Sequence, residues 1–205
     1  MGCYSFKLDS KEKMISQYEK ALGFNSNSVK LIDFILRKYS TQSKLNPSQF
    51  ADASHELGLR LNNFSIFYET ISGSHDLDLH TVLILGIYLG KGDSSEKALL
   101  LFQMLDTQTT GEIYVPDSLD LFDIIADIFV NKVRFMFKID RQFDMYEHID
   151  NLYAKHSLVK SKLKEEAFPN DGYIKKDVFV DFACSKFPLS SSDLRQLYQN
   201  ILDSN

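Results

Sequence analysis

Apolar residues recur along most of this chain every three or four positions, the spacing that brings side chains to one face of an α-helix. Met14, Tyr18 and Leu22 form such a stripe before Gly23, and Asp9 with Glu12 has the spacing of a capping box at its start. A second helix opens after Ser26 or Ser28 and carries Ile32, Ile35, Leu36 and Tyr39. Ser48 to Leu57 and Asn63 to Ile71 read as two more, and Leu79 to Leu89 is apolar on most sides, the mark of a buried helix. Beyond the break at Gly90 to Gly92, Ser94 or Ser95 can cap a helix bearing Ala98, Leu101, Phe102 and Leu105. Leu119, Phe122, Ala126, Phe129, Val133 and Phe137 predict one long helix. Met145, Ile149, Leu152, His156, Val159 and Leu163 predict another. Phe179 to Phe187 and Leu194 to Leu202 follow as the last two. Strand signals are confined to short patches such as Glu112-Ile113-Tyr114 and Tyr173-Ile174-Lys175, so the predicted class is all-α.

Internal repetition organises these helices. The segment Asp106 to Asp117 lies between two of them and has Asp first, Gly111 sixth, Ile113 eighth and an acid at the twelfth position. That is the pattern of an EF-hand loop, in which alternate oxygens surround a calcium ion and the glycine permits a sharp turn. Three further helix–loop–helix units carry related features. One runs from Leu36 through Ser40 to Lys44 and on to Leu45; another from Phe67 through Ser72 to Asp76 and on to Leu77. The last centres on Asn170 to Ile174, followed by Val178, Phe179 and Phe182. The aliphatic positions Leu45, Leu77, Ile113 and Ile174 are separated by 32, 36 and 61 residues, and are expected to supply short β-bridges that couple the hands in pairs. The predicted organisation is an N-terminal segment and helix over 1–25, a first pair over 26–92, a second pair over 93–189 with a long insertion around 130–160, and a C-terminal helix over 190–205.

The stretch from Leu77 through Ile113 resembles the centre of calcineurin B, the recoverin-type neuronal calcium sensors and the plant calcineurin-B-like proteins. The residues that carry the resemblance are Leu77-Asp78-Leu79, Gly92, Glu96-Lys97, Phe102 and Asp106. Calaxin, an axonemal EF-hand protein, is similar too and also spaces its last two hands widely. The resemblance covers roughly residues 28 to 187 and implies a four-hand fold. It also implies a non-catalytic adaptor that holds an amphipathic helix of a larger protein, or, on the calaxin side, a structural subunit of a ciliary axoneme or other large assembly.

Calcium needs six to eight oxygens, and a bidentate Glu at the last loop position strengthens binding. Loops one and two are two residues short and end at Gln49 and Thr81, while the fourth ends at Val178 and starts at Ala167 or Pro169, so all three read as structural. Only the third loop offers ligands: Asp106, Gln108, Thr110, the backbone carbonyl of Glu112, and Asp117. Asp117 is one methylene shorter than the Glu of the families it resembles. The expected cofactor is therefore calcium or magnesium bound weakly at this one loop, or none.

Composition narrows the partners. Among 205 residues, 28 acidic and 23 basic side chains leave a formal charge of −5, which argues against nucleic acid as a partner and is low for four working calcium loops. The longest apolar run, Val82 to Leu89, is far too short to span a bilayer, and no signal-peptide pattern opens the chain, which predicts a cytoplasmic protein. Met1-Gly2-Cys3 has the start of an N-myristoylated chain, with Cys3 placed for palmitoylation and hence for membrane association, although Phe6 stands where Ser or Thr is usual. No HExxH, GxSxG or phosphate loop occurs, His55, His75, His80, His148 and His156 are scattered, and Cys184 reads as a core thiol, so no enzyme is expected. Lys132, Arg134, Lys138 and Arg141 follow Asp117, Asp120, Asp123 and Asp127 and read as a docking patch or a solvated charged face. The 16 Phe and 10 Tyr supply aromatic surface for a groove, shaped constitutively or filled by the final helix through Leu194, Leu197, Ile201 and Leu202.

Overall fold

A computed structural model describes residues 10–60, 65–72, 76–137, 143–167 and 172–203. Among them are eleven α-helices and two two-stranded antiparallel sheets, an all-α architecture. The first half contains α1 (Ser10–Ala21), α2 (Val29–Tyr39), β1 (Lys44–Leu45), α3 (Pro47–Leu57), α4 (Ser65–Ser72), β2 (Leu77–Asp78) and α5 (Leu79–Leu89). The second contains α6 (Ser94–Leu105), β3 (Glu112–Tyr114), α7 (Val115–Ala126), α8 (Phe143–Tyr153), α9 (His156–Ala167), β4 (Tyr173–Lys175), α10 (Lys176–Ser185) and α11 (Ser191–Asp203).

Local chemistry sets the helix starts. The Ser28 side chain accepts the Leu31 N–H, and Asn46 with Gln49 forms a reciprocal capping box at α3. At α6 the cap is Asp93, ahead of both serines, because Glu96 lies three residues on and completes its box. At α1, Asp9 lies outside the described residues.

Strand alternation explains how the units couple. Leu45 stands opposite Leu77 and Ile113 opposite Ile174, all four buried. The alternate positions face outward and place opposite charges across each ladder, Lys44 against Asp78 and Glu112 against Lys175. A one-residue slip would expose the aliphatic pairs and bury the charges, so this register is strongly specified.

Helix α5 is buried on most sides, as its composition predicts. It lies so close to α2 that a Cβ on Gly86 would come 2.4 Å from Ile32 Cγ2. Two predicted helices differ from their expected form. The stripe over residues 119–137 is α-helical only to Ala126, then widens into a π-helical turn at Asp127–Asn131 and tightens into a 3₁₀ segment at Lys132–Phe137. Ile128, Phe129 and Val130 are buried in succession, which a one-faced α-helix does not allow. The stripe over 145–163 is two helices, broken where Lys155 donates back to the Leu152 carbonyl at 3.0 Å. Its apolar spacing runs through the break, which neither Gly nor Pro marks. Cys184 is exposed, because Phe179 and Ala183 take the inward face of α10.

The π turn, the 3₁₀ segment and α8 form the insertion. Its 3₁₀ segment packs against α4 of the first half, and its π turn and α8 pack against α11. One continuous apolar core results. The connection from α10 to α11 is clamped by Tyr88, whose hydroxyl donates to the Pro188 carbonyl at 2.9 Å, and by Lys97, whose ammonium donates to the carbonyls of Tyr88 and Leu189. Burial lowers the Lys97 pKa, opposed by the charge of Asp193.

Arg195 of α11 is buried among charges. Its guanidinium donates to both oxygens of Glu12 at 3.0 Å, to Glu19 at 2.7 and 3.1 Å, and to the Phe129 carbonyl at 3.2 Å. Ser191 adds a hydroxyl bond to Glu19 at 2.8 Å. Burial alone would lower the arginine's pKa; the charges of Glu19 and then Glu12 outweigh it and raise the value. Arg195→Leu leaves the buried Glu19 uncompensated and is expected to cost about 3–5 kcal/mol, read from urea unfolding monitored by circular dichroism. A loss under about 1 kcal/mol would show that water satisfies these carboxylates.

Candidate functional site

The four inter-helix loops are the sites singled out by the sequence. Loop one is closed by its own side chains. Thr41 and Lys44 exchange backbone hydrogen bonds at 2.9 and 3.0 Å around Gln42 and Ser43, whose φ angles of 51° and 59° are left-handed. Gln49, the last loop position, donates its amide to the Thr41 hydroxyl at 2.9 Å while its carbonyl oxygen accepts the Asn46 N–H at 2.9 Å. A hydrogen bond from the last position to the loop's start thus spans the gap that a metal ligand would otherwise help close. The Ser43 carbonyl then accepts the Leu79 N–H at 3.0 Å, tying loop one to the second unit.

In loop two, Asp78 caps α5 and its carboxylate accepts both the N–H and the hydroxyl of Thr81, at 2.9 and 3.2 Å. Thr81 is therefore already engaged; His75, in the same loop, lies outside the described residues. In loop four, Pro169, Asn170 and Asp171 also lie outside them. Gly172 accepts the Val115 N–H at 2.9 Å, and Lys176 donates its N–H to the Gly111 carbonyl at 3.1 Å, so loops three and four are joined through their backbones.

Loop three is described throughout. Asp106 Oδ1 accepts the N–H of Thr110 at 2.7 Å and its hydroxyl at 3.0 Å, and Oδ2 accepts the Gly111 N–H at 2.8 Å. The Thr110 hydroxyl shares its one proton between Asp106 and the Glu112 carbonyl, each 3.0 Å away, so three of the predicted ligands bond to one another. Desolvation pushes the Asp106 carboxyl up, but the hydrogen bonds from Gly111 and Thr110 and the charge of Lys176 outweigh it and hold the carboxyl below its ordinary value. Gly111 has φ 78° and Thr109 φ 53°, the turn that the glycine was expected to permit. Among the described residues no three His, Cys, Asp or Glu side chains converge as a metal cluster. A cation here would draw on Asp106 and Asp117 with the neutral oxygens of Gln108, Thr110 and Glu112.

The apolar interior of the second half is full. Leu101, Phe122, Leu163, Phe179 and Phe182 enclose only about 10 Å³ of free space, and Phe187 packs on Phe122 and Phe182 with ring centroids 6.0 and 6.2 Å away. The filler is thus Phe187, from the connection before α11, while Leu194 and Ile201 of α11 are buried against the insertion.

Four side chains that the sequence did not bring together are joined over long distances. His156 Nδ1 lies 2.6 Å from the Tyr198 hydroxyl and Nε2 lies 2.9 Å from Asp123, which also holds Lys160 at 2.6 Å. The imidazole stacks between Phe122, Tyr153 and Tyr198. Tyr198 is fully buried, which raises its pKa, and this arrangement locks α7, α9 and α11 together. Lys132 pairs with Asp127 and Arg134 with Asp150, whereas Lys138, Arg141 and the acylation candidates Gly2 and Cys3 lie outside the described residues. No described helix is long and apolar enough to cross a membrane.

Gln49→Ala removes both the loop bond and half of the capping box. It is expected to cost about 1 kcal/mol and to raise amide hydrogen exchange at Thr41 and Lys44 above that at Glu112 and Ile174. Unchanged exchange at Thr41 would assign the closure of loop one to its backbone alone.

Compared with known proteins, the chain matches no family, no curated relative and no solved structure.

Proposed function

We propose that this chain is a non-catalytic adaptor built from four helix–strand–helix units of the EF-hand kind, holding an amphipathic helix of a larger protein and keeping its shape without calcium. The observation that carries the reading is the register of the two short sheets, Leu45 against Leu77 and Ile113 against Ile174. Those are the aliphatic loop positions of the repeat, and their pairing is what coupled hands require. The hydrogen bonds that close loops one and three support metal independence. The filled interior supports a fixed shape, because a calcium-driven opening would have to expel Phe187.

Titration calorimetry with calcium on the wild type and Asp106→Ala tests the metal side. The expected result is no saturable heat below millimolar calcium in either protein. Saturable heat that Asp106→Ala abolishes would make loop three a working site and the chain a sensor.

A second reading, a calaxin-like structural subunit of an axoneme or other large assembly, is favoured by the insertion that widens the spacing of the last two units. Membrane attachment through acylated Gly2 and Cys3 belongs with the first. Purification from native cells, with mass spectrometry of the amino terminus, separates them. A stoichiometric partner and an acylated Gly2 are expected for the adaptor; a retained Met1 within a filament assembly supports the second reading, and intrinsic turnover would overturn both.

A further inference from the structure

The ladder that couples units three and four sets two tyrosines side by side on its outer face. Val115 donates its N–H to the Gly172 carbonyl at 2.9 Å, and Lys176 donates to the Gly111 carbonyl at 3.1 Å. By the alternation of an antiparallel ladder, Tyr114 and Tyr173, directly opposite each other, are a non-hydrogen-bonded pair. Such pairs stand about 4.5 Å apart at Cα, closer than their hydrogen-bonded neighbours. With Ile113 and Ile174 turned inward, both phenols face out. Their ring centroids lie 5.4 Å apart, with the planes inclined at 43°. Tyr114 is 43% exposed and Tyr173 73% exposed. Tyr68, Tyr88 and Tyr198 are buried instead, out of contact with a dissolved oxidant. The chain has no Trp to compete for such an oxidant.

We infer that Tyr114 and Tyr173 form an oxidative modification site, at which a haem peroxidase using hydrogen peroxide joins the two phenols by a carbon–carbon bond. Each phenol gives up one electron and its hydroxyl proton, and the two radicals couple at ring carbons ortho to the oxygens. Each of those carbons then loses its hydrogen as a proton, and a proton returns to each oxygen. The peroxide takes up the two electrons and two protons and leaves as two waters. The ladder holds the rings together beforehand, so coupling within the chain outruns encounter between chains. The product ties β3 to β4 and closes a loop that contains α7, α8 and α9. Closing a long loop removes freedom from the unfolded chain and so favours the folded one. The site stands on the register of the second sheet and holds whether or not the chain is an adaptor.

The test treats the full chain, its thiols alkylated, with a haem peroxidase and equimolar hydrogen peroxide, and recovers the monomer by gel filtration. The monomer is expected to show the blue fluorescence of dityrosine and a mass lower by two hydrogen atoms. Peptide mapping is expected to find Tyr114 and Tyr173 in one linked fragment, and the urea midpoint to move upward. Tyr114→Phe and Tyr173→Phe each keep the ring pair, so the untreated melt should be unchanged. Each should lower the monomer's dityrosine fluorescence at least tenfold and abolish the urea shift. Dityrosine that persists in the monomer of either variant, dityrosine confined to covalent dimers, or no dityrosine at all overturns the site. A link at this pair that leaves the urea midpoint in place supports the site and overturns its stabilising effect.

Discussion

A guanidinium sealed from water is tolerable only where negative charge surrounds it. Arg195 meets that condition through two carboxylates from α1 and a carbonyl from the π turn, so three remote parts of the chain must arrive at one point. The rest of the second half is arranged around that meeting. With α11 held there, Tyr198 reaches His156, Leu189 reaches Lys97, and Phe187 is drawn into the space between α7 and α10. The π turn contributes to the same meeting point. Its wider spiral turns three consecutive apolar residues inward while leaving the Phe129 carbonyl for Arg195.

The loops follow a different logic, one of local substitution. A cation organises a flexible loop by gathering oxygens that would otherwise repel. Here the same gathering is done by donors: an amide from Gln49, and N–H groups from Thr110 and Gly111. Donors that belong to the chain are always present. Loops one and three reach this end by different routes, a side-chain bridge across a shortened turn and a carboxylate that caps its own loop.

Much of this was legible in the sequence because it is local. The aliphatic positions Leu45, Leu77, Ile113 and Ile174 follow from the repeat, and the burial of α5 from its composition. What was missed depends on partners far along the chain. Arg195 and Glu19 are 176 residues apart, and nothing near either marks it as buried. The α8–α9 break hides because apolar spacing continues through it, and the π turn because spacing alone does not distinguish one helix type from another. Cys184 misled because aromatic neighbours in sequence are not neighbours on a helix face.

The pairing of α1 with α11 also bears on how the chain is made. Synthesis proceeds from the amino terminus, so Glu12 and Glu19 emerge long before Arg195 does. Until then they stay hydrated. A nascent chain stalled before α11 would therefore carry two carboxylates that the complete chain matches with Arg195.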